Sequence, residues 1–200
     1  MTAARVLVVV LVLSALAVYL GPYRERQQDE AELAQIASVI AGRGVDVECP
    51  STFASLTDVS SRDGSVEFRP DGTPADEARL SSATCARLRS FLAGDVPGLA
   101  CLAVEAHCSE EAERAAVAVN VLSHEAWHLH GVRDEAAAQC YALQTNAETA
   151  LRLGASPNEA AAIASWIGRR LQPALPADYR TSACRDGGPL DLRPERTAWP

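Results

Sequence analysis

The sequence lacks two patterns that would assign a function at once: a block of basic residues and a Cys-x-x-Cys pair. Its 200 residues carry 18 Lys and Arg against 26 Asp and Glu, a formal net charge of −8. Because no basic cluster is available to contact phosphates, we expect no nucleic-acid partner. Because no Cys-x-x-Cys pair occurs, we expect no zinc site made of cysteines. Aromatic residues make up only 5% and no internal repeat is present, so the composition suits one domain of closely packed helices.

Six cysteines are nevertheless present, and all of them follow the first apolar segment. An even number predicts three disulfides and an oxidising compartment outside the cytoplasm. The alternative is a set of buried free thiols in a cytoplasmic protein. The pairing stays open: a local Cys101–Cys108 loop is one candidate, and a Cys140–Cys184 link that ties the tail to a helix is another. The six are Cys49, Cys85, Cys101, Cys108, Cys140 and Cys184.

Residues 1–23 form a unit of their own. Arg5 is followed by an unbroken apolar run from Val6 to Leu20. With the alanines before it, this run can span a bilayer as a helix of about 18 residues. A cleaved signal peptide, with a small-x-small site at Ala15-Leu16-Ala17, is the alternative and would make the protein secreted. Since the apolar run continues past that site, we favour a single-pass membrane anchor with the following domain outside the cytoplasm.

The strongest functional signal is the stretch from Ser123 to His128, which contains His-Glu-x-x-His. Residues four apart lie on one face of a helix, so His124 and His128 can direct two imidazoles at one metal ion. Glu125 lies one position further round, where its carboxylate can reach a water on that metal. Two neutral nitrogen ligands and an adjacent carboxylate base are what zinc-dependent peptide hydrolysis requires.

The residues around this motif predict a helix from Ser109 to His130. Acidic residues follow Ser109 and favour the helix N-terminus, and Gly131 is a C-terminal stop signal. Val117 and Val121 share a face with the two histidines, so an apolar stripe that packs inward leads directly to the proposed metal ligands.

A catalytic zinc takes three protein ligands and keeps one position for water. Two downstream acids qualify as the third ligand, Asp134 and Glu135. The series from His124 through Gly131 to Asp134 matches the spacing of the metzincins, with Asp in the third place. Metzincins also carry a methionine turn beneath the metal, whereas the one Met of this chain is Met1, and this departure counts against them.

The segment from Glu135 to Ala142, Glu-Ala-Ala-Ala-Gln-Cys-Tyr-Ala, resembles the Glu-x-x-Ala-Asp-Cys-Tyr-Ala stretch of the neutral zinc metallopeptidases, a zincin family. The resemblance covers about residues 120–145. In that family two His and one Glu bind the metal. Carried over, it implies Zn²⁺ bound by His124, His128 and Glu135, with Glu125 as the catalytic base and Asp134 as a helix cap.

The same resemblance implies a zincin-like α+β fold, mainly helical, with a small sheet beside the metal helix and a second helix that supplies the third ligand. It also implies an enzyme that hydrolyses a peptide or protein substrate, and the apolar run at residues 1–23 predicts that this enzyme is anchored in the membrane. Gln139 stands where the family has Asp, so the carboxylate that would orient a ligand histidine is missing or comes from elsewhere. The alternative function is a tethered zinc-binding or disulfide-stabilised interaction module without activity.

The remaining patterns predict a stem and a small sheet. Residues 24–44 are expected to form a stem helix, and residues 45–200 the disulfide-containing domain. Alternation predicts a strand at 45–47. A hairpin is predicted with arms at 56–60 and 65–69 around the turn Arg62-Asp63-Gly64.

Downstream, Thr73-Pro74-Ala-Asp76 is a capping pattern that predicts a helix to about Ala93. The apolar run from Leu99 to Val104 is predicted as a strand. Zinc peptidases commonly hold an extended substrate on an edge strand beside the metal helix, so this run and Ser65–Arg69 are the candidate edge strands. Further helices are predicted from Asp134 to about Leu153 and from Pro157 to about Leu171.

A hydrogen-bond donor is also expected near the metal to stabilise the oxyanion of the transition state. The candidates are Tyr179, His130 and His107. For Tyr179 a packing role is the stronger reading, and His130 lies on a different side of the helix from the histidine pair. Trp127 is expected to pack in the core.

Overall fold

A computed structural model of the chain describes residues 21, 24–50, 63–104, 108–196 and 199. This part of the chain is mainly helical and contains one three-stranded mixed sheet, which confirms the α+β class. A first helix, α1, covers residues 24–41. The other elements are β1 Asp46–Glu48, β2 Gly64–Phe68, β3 Pro74–Leu80, α2 Ser82–Leu92, α3 Glu110–His130, α4 Glu135–Arg152 and α5 Pro157–Trp166.

Helix α3 is the central element, and its ends follow the local signals in the sequence. The Ser109 hydroxyl accepts a hydrogen bond from the Ala112 N–H at 3.2 Å, which satisfies one of the free donors of the first turn. At the other end Gly131 adopts the left-handed conformation, with φ at 112°, and ends the helix. The small side chains of α3 and α4 let neighbouring helices approach closely, because Ala112, Ala116 and Ala138 are fully buried.

Helix α1 packs against the rest of the domain. Leu33, Ile36 and Ala37 are at most 6% exposed and belong to the same hydrophobic core as α3. No helix within the described residues has the length and apolar character needed to cross a membrane. The predicted anchor at residues 1–23 lies outside the described part of the chain, apart from Gly21.

The sheet has the strand order β1-β3-β2, with β1 parallel and β2 antiparallel to β3. Within the described residues β2 is therefore an edge strand, and it packs beside α3. The predicted strands at 45–47 and 65–69 are confirmed to within one residue as β1 and β2. The predicted arm at 56–60 lies outside the described residues. The observed hairpin instead joins β2 to β3 through a turn at 69–73, where Gly72 has φ at 84°.

The predicted helix from residue 74 to Ala93 is wrong over its first half. Pro74–Leu80 is the central strand of the sheet, with Ala78 and Leu80 buried and Arg79 exposed between them. Pairing with strands on both sides outweighs the capping pattern at its start. The helix begins only at Ser82, where the Ser81 hydroxyl accepts from the Thr84 N–H at 3.1 Å.

The predicted strand from Leu99 to Val104 is also wrong. Leu99–Ala103 forms a 3₁₀ helix. Leu99 and Leu102 lie on one side of this 3₁₀ helix, three residues apart, and both are buried. A 3₁₀ helix has no strand edge to offer, so this segment is removed from the candidate edge strands.

The described cysteines are all paired, as predicted. Both candidate pairings are present, and the third disulfide joins the end of β1 to α2. Three disulfides indicate a protein of an oxidising compartment, which is either secreted or held outside the cytoplasm. The pairs are Cys49–Cys85, Cys101–Cys108 and Cys140–Cys184.

The C-terminal tail folds back over α4. After α5 the chain continues through a π-helical turn, Ile167–Leu171, and reaches a short 3₁₀ turn, Ala177–Tyr179. The Cys140–Cys184 disulfide fixes the tail to α4. The Gln144 side chain adds two hydrogen bonds of 2.8 Å to the backbone of Leu190 and Leu192. The tail thereby brings the 3₁₀ turn next to the histidines of α3.

Candidate metal centre

Three side chains converge on one point at the C-terminal part of α3. His124 Nε2 lies 2.9 Å from His128 Nε2 and 3.1 Å from Glu135 Oε2, and His128 Nε2 lies 3.3 Å from the same oxygen. A tetrahedral zinc about 2.0–2.2 Å from each ligand separates its ligand atoms by roughly 3.3 Å. The triangle formed by these atoms is therefore close to the size that a metal ion requires, and this group can hold one.

The short turn after α3 decides which acid reaches the histidines. Gly131 reverses the chain, and α4 begins at Glu135. The Asp134 carboxylate accepts a hydrogen bond from the Ala137 N–H at 2.8 Å, so it caps α4. As the resemblance implied, Glu135 faces the two imidazoles, and Asp134 has the role of a helix cap.

The tautomer of His128 also favours metal binding. Its Nδ1 lies 2.7 Å from the carbonyl oxygen of Val132. A carbonyl only accepts, so Nδ1 carries the proton, and the lone pair of the neutral ring lies on Nε2, which points to the shared position.

No corresponding partner orients His124. Its Nδ1 is buried and has no hydrogen-bond partner within the described residues. Gln139, at the position where the resembling family has Asp, bonds instead to Asn120 and Gln172 at 3.1 and 3.0 Å. Gln139 therefore contacts other side-chain amides in this structure.

The electrostatics give two of the three groups, His128 and Glu135, the protonation state that a metal ligand needs. Burial lowers the pKa of His128, and the neighbouring His124 ring lowers it further. The hydrogen bond from His124 is the main reason that the pKa of Glu135 falls to about 2. At neutral pH the site therefore contains a carboxylate and an unprotonated His128, as metal coordination needs.

Glu125 lies next to this group, against the first residue of β2. It is 5% exposed. A Cβ atom placed on Gly64 would lie 2.7 Å from Glu125 Oε1 and 2.8 Å from its Cγ. The carboxylate occupies space that any other residue at position 64 would fill.

A solvent-accessible cleft of about 370 Å³ opens over the three converging side chains. One wall is β2, and the other includes Asp178 and Tyr179 from the 3₁₀ turn of the tail. A second cavity of about 290 Å³ adjoins it and shares Gly64, Glu125 and Tyr179. The space beside Glu125 is thus large enough for water and for part of a peptide.

Of the predicted oxyanion donors within the described residues, Tyr179 lines the cleft and His130 does not. Tyr179 lines the cleft, and its ring centroid is 5.5 Å from that of His124. His130 lies elsewhere, with Nδ1 3.2 Å from the carbonyl of Ala41. His107 falls outside the described residues. Trp127 is partly buried. Its indole N–H donates a hydrogen bond of 3.1 Å to the Thr145 hydroxyl.

No pattern in the sequence predicts that Gly64, Phe68 and Arg133 lie at the site. Gly64 was assigned to a hairpin turn, whereas it makes room for Glu125. Phe68 and Arg133 were not singled out, yet both line the cleft. They reach it from β2 and from the turn between α3 and α4, and only the packing of these two elements brings them together.

No protein-family model matches this chain, and comparison with characterised proteins and with solved structures finds no match either. The geometry of the site therefore carries the functional argument. It comprises a His-His-Glu group that can hold a metal ion, placed in a mainly helical α+β domain with three disulfides.

Proposed function

We propose that this protein is a zinc-dependent metallopeptidase with a zincin-like fold that acts outside the cytoplasm. One observation carries the proposal: the ligand atoms of His124, His128 and Glu135 converge, and the Glu125 carboxylate lies next to them in the same open cleft. A metal site with a structural role alone would be closed by a fourth protein ligand. Within the described residues the metal-binding group has three members.

The roles of the residues follow from their positions. Zinc, when bound, supplies a Lewis acid that polarises a carbonyl and lowers the pKa of a coordinated water. Glu125 accepts the proton of the attacking water and passes it to the departing amine. The Val132 carbonyl holds the His128 ring in its binding orientation. The Tyr179 hydroxyl is our proposed donor to the oxyanion, because Tyr179 lines the cleft beside His124.

The proposed substrate is a peptide in an extended conformation. β2 borders the cleft through Gly64, Ser65, Val66 and Phe68. An edge strand presents backbone groups to which an extended peptide can add as a further strand. Of the two candidate edge strands, Ser65–Arg69 is the one that remains.

Replacing Glu125 by Gln tests the reaction. We expect the variant to bind zinc as the unmodified protein does and to lose hydrolysis of a peptide library, because the amide cannot accept the proton. Metal content by mass spectrometry and product analysis, with and without chelator, are the two measurements. Glu111→Gln, at an exposed position in the first turn of α3, is the matched control. Full activity in Glu125→Gln would refute the mechanism, and a zinc-loaded unmodified protein that cleaves nothing would favour a binding module.

Replacing the two neighbouring acids tests the metal ligands. We expect Glu135→Gln to weaken zinc binding on the order of 100-fold, since a carboxylate ligand is lost. Asp134→Asn should bind zinc normally, because Asn is as good a helix cap as Asp. Competition with a chromogenic chelator gives both affinities. The opposite ranking of the two variants would identify Asp134 as the ligand.

A further inference from the structure

The turn between α3 and α4 places a positive charge at the candidate site. This turn covers residues 131–134, between the ligands His128 and Glu135, and it is short because Gly131 reverses the chain at once. Arg133 is its basic residue, and it lines the cleft together with those ligands. Arg133 thus lies between two candidate metal ligands in the sequence, which keeps its backbone close to the site.

An aromatic ring holds the Arg133 side chain in place. The guanidinium carbon lies 5.8 Å from the centroid of the Phe68 ring, within the range of a cation–π contact. The Phe68 ring in turn meets the His128 ring edge-on, with centroids 6.0 Å apart. One ring of β2 therefore connects the cation to a proposed metal ligand.

The guanidinium has its hydrogen-bonding capacity available. Within the described residues Arg133 forms no hydrogen bond and no ion pair, and it is exposed to solvent. Two arginines outside the cleft differ, because Arg43 and Arg69 both pair with Asp76. The planar fork of N–H donors on Arg133 is therefore unused, and it is the group that matches a carboxylate in two parallel hydrogen bonds.

The other charged groups of the cleft are acidic. Glu125, Glu135 and Asp178 line it, and Arg133 is the one cation among the described lining residues. Glu125 and Glu135 have roles in the proposed reaction, and Asp178 forms no ion pair with Arg133. A substrate with a negative charge would find one complementary group here, and that group contacts the Phe68 ring.

We propose that Arg133 is a specificity residue that binds a carboxylate of the substrate, so that the cleft selects peptides with an acidic group near the cleaved bond. This inference rests on the proposed peptidase function. The carboxylate can come from an acidic side chain or from the C-terminus of a short peptide, since both present the same planar acceptor. Arg133 acts in binding and takes no part in the proton transfers assigned to Glu125.

Binding to a variant that cannot turn over separates this inference from the catalytic one. The zinc-loaded Glu125→Gln protein is titrated with four labelled peptides built on the best-bound library sequence. They combine Glu or Gln at one position with a free or an amidated C-terminus. Removing the recognised carboxylate should raise Kd about tenfold, as loss of a charge-assisted contact does. The pair of peptides that shows the change identifies its source.

Variants of Arg133 then assign the preference. In Glu125→Gln/Arg133→Gln the four Kd values should agree within about twofold, because neutral glutamine has no charge preference. Arg133→Glu should bind a Lys peptide more tightly than a Glu peptide. Arg152→Gln is the matched control, since Arg152 pairs with Glu148 on α4 and does not line the cleft. It should keep the full preference.

Each remaining outcome overturns the inference. Equal Kd values for all four peptides in the Arg133 protein would show that the cleft does not recognise a carboxylate. Uniform weakening of acidic and neutral peptides in Arg133→Gln would show a structural role. Both results leave the peptidase proposal intact if library peptides are cleaved by the unmodified protein. If the zinc-loaded protein neither binds nor cleaves any peptide, the peptidase proposal falls as well.

Discussion

Gly64 has no side chain, and this leaves space for the carboxylate of the proposed catalytic base, Glu125. The Glu125 carboxylate is buried against the start of β2, and a Cβ at position 64 would be closer to it than non-bonded atoms allow. Gly64 has no unusual backbone conformation, because it is absent from the residues with positive φ. The requirement for glycine is therefore one of space beside the Glu125 carboxylate.

Replacing Gly64 by Ala should displace the Glu125 carboxylate while leaving the metal ligands in place. A shift of about 1 Å in a catalytic group can lower the rate on the order of 100-fold. We therefore expect a large fall in kcat with unchanged zinc affinity, measured by peptide cleavage and chelator competition. Gly44→Ala is the control, because no atom lies within 4 Å of its added Cβ. Wild-type kcat in Gly64→Ala would contradict this account.

At the scale of elements, the helices that form the site are joined by a buried polar network. Asn120 on α3 donates to Gln139 on α4 at 3.3 Å, and its side-chain oxygen accepts from Asn146 at 3.1 Å. Hydrogen bonds between buried amides favour one relative register of two helices, because a slip would break them. Since α3 provides two proposed ligands and α4 the third, this network helps to fix the ligand geometry.

Helix α5 begins with a capping box that makes stability depend on pH. The Glu159 carboxylate accepts from the Ser156 hydroxyl at 2.7 Å and from its backbone N–H at 2.9 Å. The side-chain bond is the larger reason that the pKa of Glu159 lies below 4.5. A carboxyl whose pKa is lower when folded stabilises the protein above its unfolded pKa. That contribution is lost as the pH falls through the folded value.

Glu159→Gln should remove this dependence. The variant should be less stable than the unmodified protein at pH 7, and the difference should shrink towards pH 3, as the pH falls through the folded pKa of Glu159. Urea unfolding followed by circular dichroism at the two pH values measures it. Glu32→Gln, at an exposed position of α1, serves as the control and should show no such change. An undiminished difference at pH 3 would show that the ionised box is not the cause.

At the scale of the whole molecule, the tail completes the cleft. It supplies Asp178 and Tyr179 to the lining of the cleft, and the Cys140–Cys184 disulfide secures it to the helix that carries Glu135. Cys140 itself is fully buried. The proposed oxyanion donor therefore depends on a covalent link formed in an oxidising compartment.

Replacing both Cys140 and Cys184 by Ser should loosen the tail. We expect a loss of about 2–4 kcal/mol in the free energy of unfolding, typical of a disulfide that closes a long loop. Peptide cleavage should fall with it as Tyr179 leaves its place, while zinc stays bound. Cys101→Ser/Cys108→Ser is the matched control, because that pair is 7 residues apart and lies outside the cleft. Equal losses of activity in the two variants would contradict a specific role for the tail.

Helix ends and helix faces follow from residues close together in the chain, so they can be predicted from the sequence. Three- and four-residue periodicity, the acidic first turn and Gly131 define α3, and the helix alone brings His124 and His128 to one face. The resemblance of residues 135–142 pointed to Glu135 as the third member. Local signals failed at 74–80 and 99–104, where strand pairing and buried leucines decided the outcome.

The contacts that form the cleft join segments far apart in the chain, so they depend on tertiary packing. Gly64 against Glu125, Phe68 between Arg133 and His128, and Tyr179 beside His124 each connect residues far apart in the chain. Such contacts have no period and no cap, because they depend on how β2, the interhelical turn and the tail pack around α3. The sequence thus specifies the helix that carries two candidate metal ligands, and long-range packing forms the cleft beside them.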